Sequence, residues 1–257
     1  MCGRYASFRE AQDLADEFAL SSIADDVRLM APSWNIAPTD AVRMVVERPV
    51  HLADGSYGAI ERTLRSARWG LVPSWAKGPA IGSTLINARA ETLLEKPAFR
   101  RAFATRRALL PADGYYEWQP PAAGSASKTK QPFYVHATDG APLAMAGVYE
   151  FWKDPTKADD DPTRWLVSAA VVTTTATDEM GRIHDRQPVI LLPDRWDGWL
   201  DPAVDGAGAA AHLASPPPRL EFTAVSPAVS KVTTNGPHLI LPVSPSGRAD
   251  LDRGDRT

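Results

Sequence analysis

The chain has 257 residues, of which 44% are hydrophobic, and this suffices for one sizeable core. No window approaches about eighteen uninterrupted apolar residues, and the first residues lack a basic segment followed by an apolar stretch, so we expect neither a membrane span nor a secretory signal. The net charge of -3 argues against a globally basic nucleic-acid coat, and the single cysteine excludes an internal disulfide and fits a reducing cytoplasm.

Hydrophobic spacing predicts a few short helices. The first covers Phe8 to Leu20, with Ser7 and Glu10 forming a capping-box pattern. A second runs from about Ala90 to Phe103, where Pro97 must kink or split it. Shorter helices are expected near residues 177–183, 194–200 and 208–213.

Runs rich in β-forming residues lie between the helices. The strongest cover residues 42–46, 62–70, 107–110, 115–119, 132–137, 143–152, 165–175, 188–192 and 220–225. Because they do not alternate regularly with helices, we expect an α+β fold of mostly antiparallel sheets curled toward a barrel. Residues 1–243 form a single domain in this interpretation. The tail 244–257, "SPSGRADLDRGDRT", is expected to be disordered because it cannot bury enough apolar area.

One segment is markedly basic. From Glu61 to Arg107 there are ten lysines and arginines against three acids. Such a run either forms part of a nucleic-acid groove or is a solvated face with no binding role.

The cysteine lies in "MCGRYA", directly after Met1. If Met1 is removed, Cys2 becomes a 1,2-aminothiol whose α-amine titrates near 7.7–8.0, so a useful fraction is nucleophilic at neutral pH. The amine can form a Schiff base with an aldehyde, and the thiol can close onto the imine carbon to give a thiazolidine. An internal cysteine cannot do this. By itself, Cys2 could equally be a small thiol with no special role.

Four other stretches carry candidate side chains. "NARAET" holds Asn87 and Arg89, "ADGYYEW" holds Glu117 between aromatics, "IHDRQP" holds His184 and Arg186, and "RWGLVPSWAK" places two tryptophans around a turn. Partial burial could raise the pKa of the glutamate for proton transfer. Each stretch also has a structural interpretation, as a turn cap, an exposed charge, a satisfied histidine or core. No dinucleotide, P-loop or CxxC motif is found and the five histidines are scattered, so we expect neither cofactor nor metal.

Seven ordered stretches resemble the SRAP family, the SOS-response-associated peptidase fold. They are "MCGRYA", "NIAPT", "RWGLVPSWAK", "INARAET", "LLPADGYYEW", "QPFYV" and "IHDRQPVIL", with a weaker echo at "AVSPAVSKVTTNGPHLI". The resemblance spans Cys2 to Leu192 and implies a barrel-like core with peripheral helices. It also implies a monomeric, cytoplasmic, nucleoid-associated protein that cross-links abasic sites in single-stranded DNA and shields the lesion.

The resemblance implies a role for each candidate residue. Cys2 would be the nucleophile through amine and sulfur, Glu117 the general acid/base, His184 the group that assists opening of the sugar ring, and Asn87 the residue that orients the cysteine or the sugar. The implied DNA contacts are a stacking Trp75 and phosphate clamps from Arg4, Arg89 and Arg186.

The sequence departs from the family pattern at two places. Gln187 stands where the family usually has methionine, which would alter packing beneath His184, and Thr234 stands where it more often has asparagine. The peptidase label rests on removal of Met1, which autocatalysis or a housekeeping aminopeptidase could perform. Strand scission at the abasic site is a further activity that the resemblance leaves open.

Three alternatives remain. An N-terminal-nucleophile amidohydrolase or glutamine amidotransferase can also begin with Met-Cys-Gly, although such chains usually have an apolar residue at the position of Arg4. A thiol peptidase could use Cys2, His184 and Asn87. A single-strand binding module would make no covalent use of Cys2.

Overall fold

A computed structural model describes residues 2–52, 54–124, 128–177, 180–214 and 216–243 of the protein. The expectations for Met1 and for the tail 244–257 lie outside these residues. The strands are β1 Tyr5–Ser7, β2 Ser22–Ile23, β3 Ser33–Ile36, β4 Ala41–His51, β5 Tyr57–Trp69, β6 Asn87–Arg89, β7 Arg107–Ala112, β8 Gly114–Gln119, β9 Gln131–Ala137, β10 Leu143–Lys153, β11 Trp165–Thr175, β12 Arg186–Pro188 and β13 Leu220–Ala224. The α-helices are α1 Ala11–Glu17, α2 Asp25–Arg28, α3 Arg100–Thr105, α4 Pro193–Leu200 and α5 Gly206–Ala210.

Six short 3₁₀ segments complete the regular structure of these residues. They are Pro79–Thr84, Ala90–Thr92, Met180–Arg182, Ala211–Ala214, Pro227–Ser230 and Pro237–Ile240. The longest α-helix has eight residues, and no helix in the described ranges is long and apolar enough to cross a membrane.

Five strands of the larger sheet close into a barrel. The strands β5, β4, β7, β10 and β11 are neighbours in that order, and a short parallel contact between β11 and β5 completes the ring. The long hairpin of β4 and β5 and the antiparallel pairing of β10 with β7 and β11 make most of its wall. The predicted α+β fold with mostly antiparallel sheets and a barrel is therefore confirmed.

Alternating side chains divide the core into two layers. Inward residues such as Met44, Trp69 and Val171 pack in one cluster, whereas their strand neighbours, such as Val45 and Val172, pack in another. The second cluster also contains apolar residues of α1, α3, α4 and α5, so the helices cover the outside of the barrel. This alternation follows from the two-residue period of a strand.

The smaller sheet covers one side of the inner cluster. Its order is β13, β9, β8, β1 and β3. Tyr5 and Tyr115 pack toward the barrel cluster, while Ala6 and Tyr116, on the opposite face, pack with the C-terminal segment. Because β1 begins three residues after Cys2, this arrangement carries the start of the chain between the sheet and the barrel.

Several local predictions are corrected. The first helix is shorter than predicted, and its N-cap is Glu10 without a side-chain cap bond, so the capping box is wrong. Ser7 instead pairs with Ser33 in the small sheet. The carboxylate of Asp113 accepts the free N–H groups of Phe8 (2.7 Å) and Arg9 (3.3 Å).

Two further predictions, the second helix and the strand at residues 188–192, also differ from the structure. Pro97 does split the second predicted helix, since only the 3₁₀ segment Ala90–Thr92 and α3 form. The strand predicted for residues 188–192 is largely wrong: β12 lies earlier, and in that range only Ile190 forms an isolated bridge, to Met145.

Candidate active site

Cys2 is fully buried where the small sheet meets the barrel. It belongs to the inner cluster together with Tyr5, Trp69, Tyr115 and Met180. The rings of Tyr5 and Trp69 meet edge-on at 5.1 Å, and the Tyr115 hydroxyl lies 3.6 Å from the Met180 sulfur. Cys2 therefore shares one apolar cluster with these rings.

Asn87 holds the main chain of Cys2. It begins β6, which pairs in parallel with β11 at Val171. Its Nδ2 donates to the Cys2 carbonyl oxygen at 2.8 Å. Its Oδ1 is buried and accepts no hydrogen bond from the described residues, so an acceptor is available beside the cysteine.

Glu117 lies on β8, two residues after Tyr115, and is 3% exposed. Burial raises the pKa of its carboxyl to about 7, because the charged form is poorly solvated there. The group is thus close to half-ionised at neutral pH. It can both accept and donate a proton in that range.

The Cys2 thiol experiences the same environment. Burial raises the pKa of the Cys2 thiol, and the nearby negative charge of Glu117 raises it further. The cysteine and the carboxyl therefore lie within electrostatic range of each other. The thiol is protonated at neutral pH and needs a base before its sulfur can react.

His184 lies in the loop before β12, with 29% of its side chain exposed. Burial lowers the pKa of its imidazole, which favours the neutral ring. In that form Nδ1 accepts the Arg186 N–H at 3.0 Å and Nε2 carries the proton. Asp185 Oδ1 also lies 2.8 Å from Nδ1, a contact that becomes a hydrogen bond when Nδ1 carries a proton.

Asp185 connects the histidine to the buried glutamate. The negative charge of Asp185 raises the pKa of Glu117. The same charge acts on His184 in the opposite direction to burial, which lowers the pKa of the imidazole. Together with the contacts of Cys2, this brings all four predicted catalytic residues, Cys2, Asn87, Glu117 and His184, into one region.

Arg186 is paired with an acid that the sequence did not single out. Its Nη1 and Nη2 donate to the two carboxylate oxygens of Glu91 at 2.8 and 2.9 Å. The hydrogen bonds from Arg186 hold the pKa of Glu91 at about 2. Nη2 also donates to the Thr173 carbonyl oxygen at 2.6 Å, so the guanidinium is fixed in one orientation.

Arg89 and Trp75 are available at the surface. Arg89 is exposed and shares with Asn87 and Lys96 the lining of a cavity of about 330 Å³. Trp75 is 61% exposed in a turn, which Trp152 anchors by donating from Nε1 to the Ala76 carbonyl oxygen at 2.7 Å. Both side chains are therefore accessible to a bound ligand.

Arg4 is only 9% exposed and makes internal contacts. Its Nη1 donates to Asn35 Oδ1 and to the Val229 carbonyl oxygen, both at 2.8 Å, and its guanidinium lies 5.9 Å from the Trp118 ring. Asn35 in turn donates to three carbonyls of the C-terminal segment. These bonds fasten that segment to the strand that follows Cys2. They favour a structural role for Arg4 over its predicted phosphate clamp.

Sequence reasoning missed several residues that shape the site. Glu91 stands inside the quoted "NARAET" and Asn35 inside "NIAPT", so their motifs were visible although their partners were not. Tyr115 lay in a predicted strand, and Tyr5 lay inside the quoted "MCGRYA", but neither was singled out. The Tyr5 hydroxyl is buried and has no hydrogen-bond partner within the described ranges.

The basic segment serves more than one purpose. Arg107 is 3% exposed and donates only to main-chain carbonyls, among them those of Trp199 and Asp201. Arg62 pairs with Glu47 and Asp197. The number of basic residues in this segment therefore overestimates the positive charge available to bind nucleic acid, because some of these side chains stabilise the fold instead.

Comparisons with known proteins identify the family of the chain. The sequence profile of SOS response associated peptidase (SRAP) matches residues 1–232. The chain belongs to the SRAP family. One relative in the family, the abasic site processing protein YoqW of Bacillus subtilis (strain 168), is 35% identical over 242 residues, covering 93% of this chain and 99% of YoqW. Another, the abasic site processing protein YedK of Escherichia coli (strain K12), is 30% identical over 253 residues, covering 95% of this chain and 100% of YedK.

The fold of a solved structure is also similar. A crystal structure of a protein from Bacteroides thetaiotaomicron superposes with a TM-score of 0.75 at 21% identity, covering 95% of this chain and 100% of that one.

Two residues depart from the family's sequence pattern, Gln187 and Thr234. Gln187 is buried in β12 opposite Thr174, and the Thr234 carbonyl accepts a hydrogen bond from Asn35. No cluster of three or more potential metal ligands occurs among the described residues.

Proposed function

We propose that this SRAP protein binds single-stranded DNA and cross-links abasic sites through a thiazolidine at Cys2 after Met1 is removed. It acts as a cytoplasmic monomer that associates with the nucleoid when it binds DNA, and the cross-link shields the lesion. Relatives that align over nearly their whole length are named abasic site processing proteins. The observation that carries the proposal is the contact of Asn87 with the Cys2 carbonyl beside a buried Glu117 whose pKa is raised to about 7.

The chemistry balances with the groups present. The Cys2 amine adds to the sugar aldehyde, and the carbinolamine loses water to form an imine. Glu117 in its acid form can protonate the departing hydroxyl. The Cys2 sulfur then bonds to the imine carbon while its proton passes to the nitrogen, with Glu117 as the relay. No bond of the DNA backbone breaks in this sequence.

The same geometry argues against a thiol peptidase. Such an enzyme needs a lowered thiol pKa, whereas burial and Glu117 raise the pKa of Cys2. Asn87 also bonds the Cys2 carbonyl rather than His184, so it does not orient the imidazole as a Cys-His-Asn triad requires. His184 Nε2 is instead suited to protonate or deprotonate the sugar hydroxyl during ring opening.

Phosphate contacts from Arg89 and Arg186 complete the proposal, with Trp75 stacking on a base. Arg186 is already held by its pair with Glu91, so it would lose little side-chain entropy on contact with a phosphate. Because phosphate contacts carry no base information, we expect little sequence preference.

The test uses protein shown by mass spectrometry to start at Cys2. It is mixed with a single-stranded oligonucleotide carrying one abasic site, then analysed on a denaturing gel and by mass. We expect an adduct with the summed mass less one water. Cys2→Ala, Cys2→Ser and protein that retains Met1 should give none, nor should an oligonucleotide whose abasic aldehyde has been reduced with borohydride.

The outcomes separate the alternatives. Binding without an adduct would favour the single-strand module, and glutamine or peptide hydrolysis without an adduct would favour the amidohydrolase or the peptidase. Cleaved DNA accompanying the adduct would add strand scission to the activity.

A further inference from the structure

The barrel wall is open beside the short contact of β5 with β11. The two strands pair at only two positions, Arg68 with Ser168 and Trp69 with Ala169. In the described structure, the preceding part of β11, Trp165–Val167, pairs with β10 alone. A cavity of about 480 Å³ occupies the opening. We call it the seam pocket, and its charged and aromatic lining includes Arg48, Arg65, Arg68, Tyr149, Phe151 and Trp165.

One side of the seam pocket is aromatic. Trp165 is 53% exposed, which is unusual for a side chain of this size. Phe151 packs edge-on against the buried Tyr149 at 5.8 Å between ring centroids. The Arg48 guanidinium lies over the Phe151 ring at 4.9 Å from its centroid. These faces suit a planar ligand, since stacking on aromatic rings needs no specific hydrogen bonds.

The other side is positively charged. Arg48 and Arg65 are exposed at the rim, and Arg68 lies next to them. The acid in the lining, Asp26, already accepts from the Val27 N–H at 3.0 Å and from a serine hydroxyl. Burial raises the pKa of Tyr149, and the positive charges of Arg48, Arg106 and Arg65 act in the opposite direction, so these guanidinium groups lie within electrostatic range of the phenol. An anion there would meet the guanidinium groups of Arg48, Arg65 and Arg68 against the single carboxylate of Asp26.

A second cavity extends the seam pocket along the surface. It has a volume of about 660 Å³, shares Arg48, Phe151 and Trp165 with the first, and reaches Ser74, next to the exposed Trp75. The basic side chains it adds are partly neutralised, as by the pair of Arg106 with Glu150 at 2.8 Å.

We propose that the seam pocket binds one unpaired nucleotide, with its base against Trp165 and Phe151 and its phosphate on Arg48 and Arg65. The volume is within the roughly 300–1,000 Å³ typical of small-ligand sites. Such a nucleotide has two sources: a position of the DNA strand beyond the lesion, or a free nucleoside phosphate. The strand source rests on the proposed function, whereas the free-nucleotide source does not.

The seam is separate from the cysteine. Trp69, with no exposed surface, lies in the inner cluster between the pocket-lining Ala67 and the Tyr5 ring that borders Cys2. Along β5 the distance from Trp69 to Arg65 is about 13 Å at ~3.3 Å per residue. Occupancy of the seam can therefore be measured without any covalent chemistry.

The experiment measures binding of an undamaged, fluorescently labelled oligothymidylate of about 12 nucleotides, a length within the range of single-strand sites. Anisotropy is recorded for the full chain and for the double variant Arg48→Ala with Arg65→Ala. The matched control is Arg195→Ala, an arginine on α4 outside the seam. Unlabelled thymidine monophosphate is added as competitor, and its direct binding is measured by calorimetry.

For the strand source we expect the double variant to bind about tenfold more weakly, with a salt slope smaller by about 0.7 for the one lost phosphate contact. Arg195→Ala should stay within about twofold, since it removes one positive charge at a position outside the seam. For the free-nucleotide source, thymidine monophosphate should bind the wild type and not the double variant. Trp165→Ala should weaken whichever ligand binds, and Trp165→Phe should restore it.

Unchanged binding of both ligands in the folded double variant and in Trp165→Ala would overturn the inference. Trp165→Ala, at a half-exposed position, supplies the answer if the arginine pair fails to fold. Adduct formation at an abasic site is recorded in parallel. If the wild type forms no adduct but oligonucleotide binding still depends on Arg48 and Arg65, the proposed function fails while the seam site stands.

Discussion

Replacing Glu117 by glutamine tests the buried carboxyl without changing its size. Burial raises the pKa of Glu117 from 4.5 to about 7, so the folded protein holds this proton more tightly than the unfolded chain does. The stability contributed by the protonated carboxyl is fully present below pH 4.5 and is lost as the pH rises through 7. Glutamine does not titrate and has no such dependence.

The size of the effect follows from the two pKa values. At ~1.36 kcal/mol per pH unit, the difference between 4.5 and 7 corresponds to about 3 kcal/mol. Glu117 is 3% exposed, so solvent screening does not reduce this figure much. The free energy of unfolding of Glu117→Gln relative to wild type should therefore rise by about 3 kcal/mol between pH 4.5 and 8.

Urea unfolding at a series of pH values gives this difference directly, because most other titrating groups contribute equally to both proteins. Glu95→Gln, at an exposed surface position, is the matched control for the chemical change from glutamate to glutamine. The same variant should lose the inflection near pH 7 in the rate of adduct formation. If the unfolding free energies of Glu117→Gln and wild type ran parallel from pH 4.5 to 8, burial would not raise the pKa of Glu117 and the reasoning would be wrong.

Three further substitutions test the frame of the site. Asn35→Ala should lower the free energy of unfolding by about 2–4 kcal/mol, measured in urea, because it removes the side-chain bonds to the Val229, Lys231 and Thr234 carbonyls and the oxygen that accepts from Arg4. Gly70→Ala should reduce it by a similar ~2–4 kcal/mol, since φ is +118° and a Cβ would meet the Gly82 carbonyl; wild-type stability would contradict this. Glu91→Gln should lose no more than about 1 kcal/mol at pH 7, because Glu91 is half exposed. Glu91 has a lowered pKa of about 2, so thermal unfolding should show its contribution in full above pH 4.5 and its loss as the pH falls through 2.

The arginines show why charge patterns translate poorly into surfaces. Arg65 and Arg107 belong to the same basic run of the sequence, yet one lies exposed at the seam and the other is buried among main-chain carbonyls. Their neighbours in the chain do not distinguish them. What distinguishes them is strand pairing, since β7 lies inside the barrel wall and β5 borders its opening.

The sequence by itself determined the reactive group and the class of fold. A cysteine after the initiator methionine is a masked aminothiol whatever surrounds it, because the amine and thiol are joined by covalent bonds. The β-rich runs and the splitting of a helix at Pro97 are likewise local, since they depend on side-chain period and on a missing N–H group.

The tertiary structure alone decided which groups meet. The bond from Asn87 to Cys2 spans 85 positions of the chain, the pair of Arg186 with Glu91 spans 95, and the contact of Arg4 with Val229 spans 225. Burial, and with it the raised pKa of Glu117, exists only once distant strands pack over that side chain. Composition and spacing cannot give these contacts, because they depend on how the barrel closes and on what the closed barrel leaves exposed.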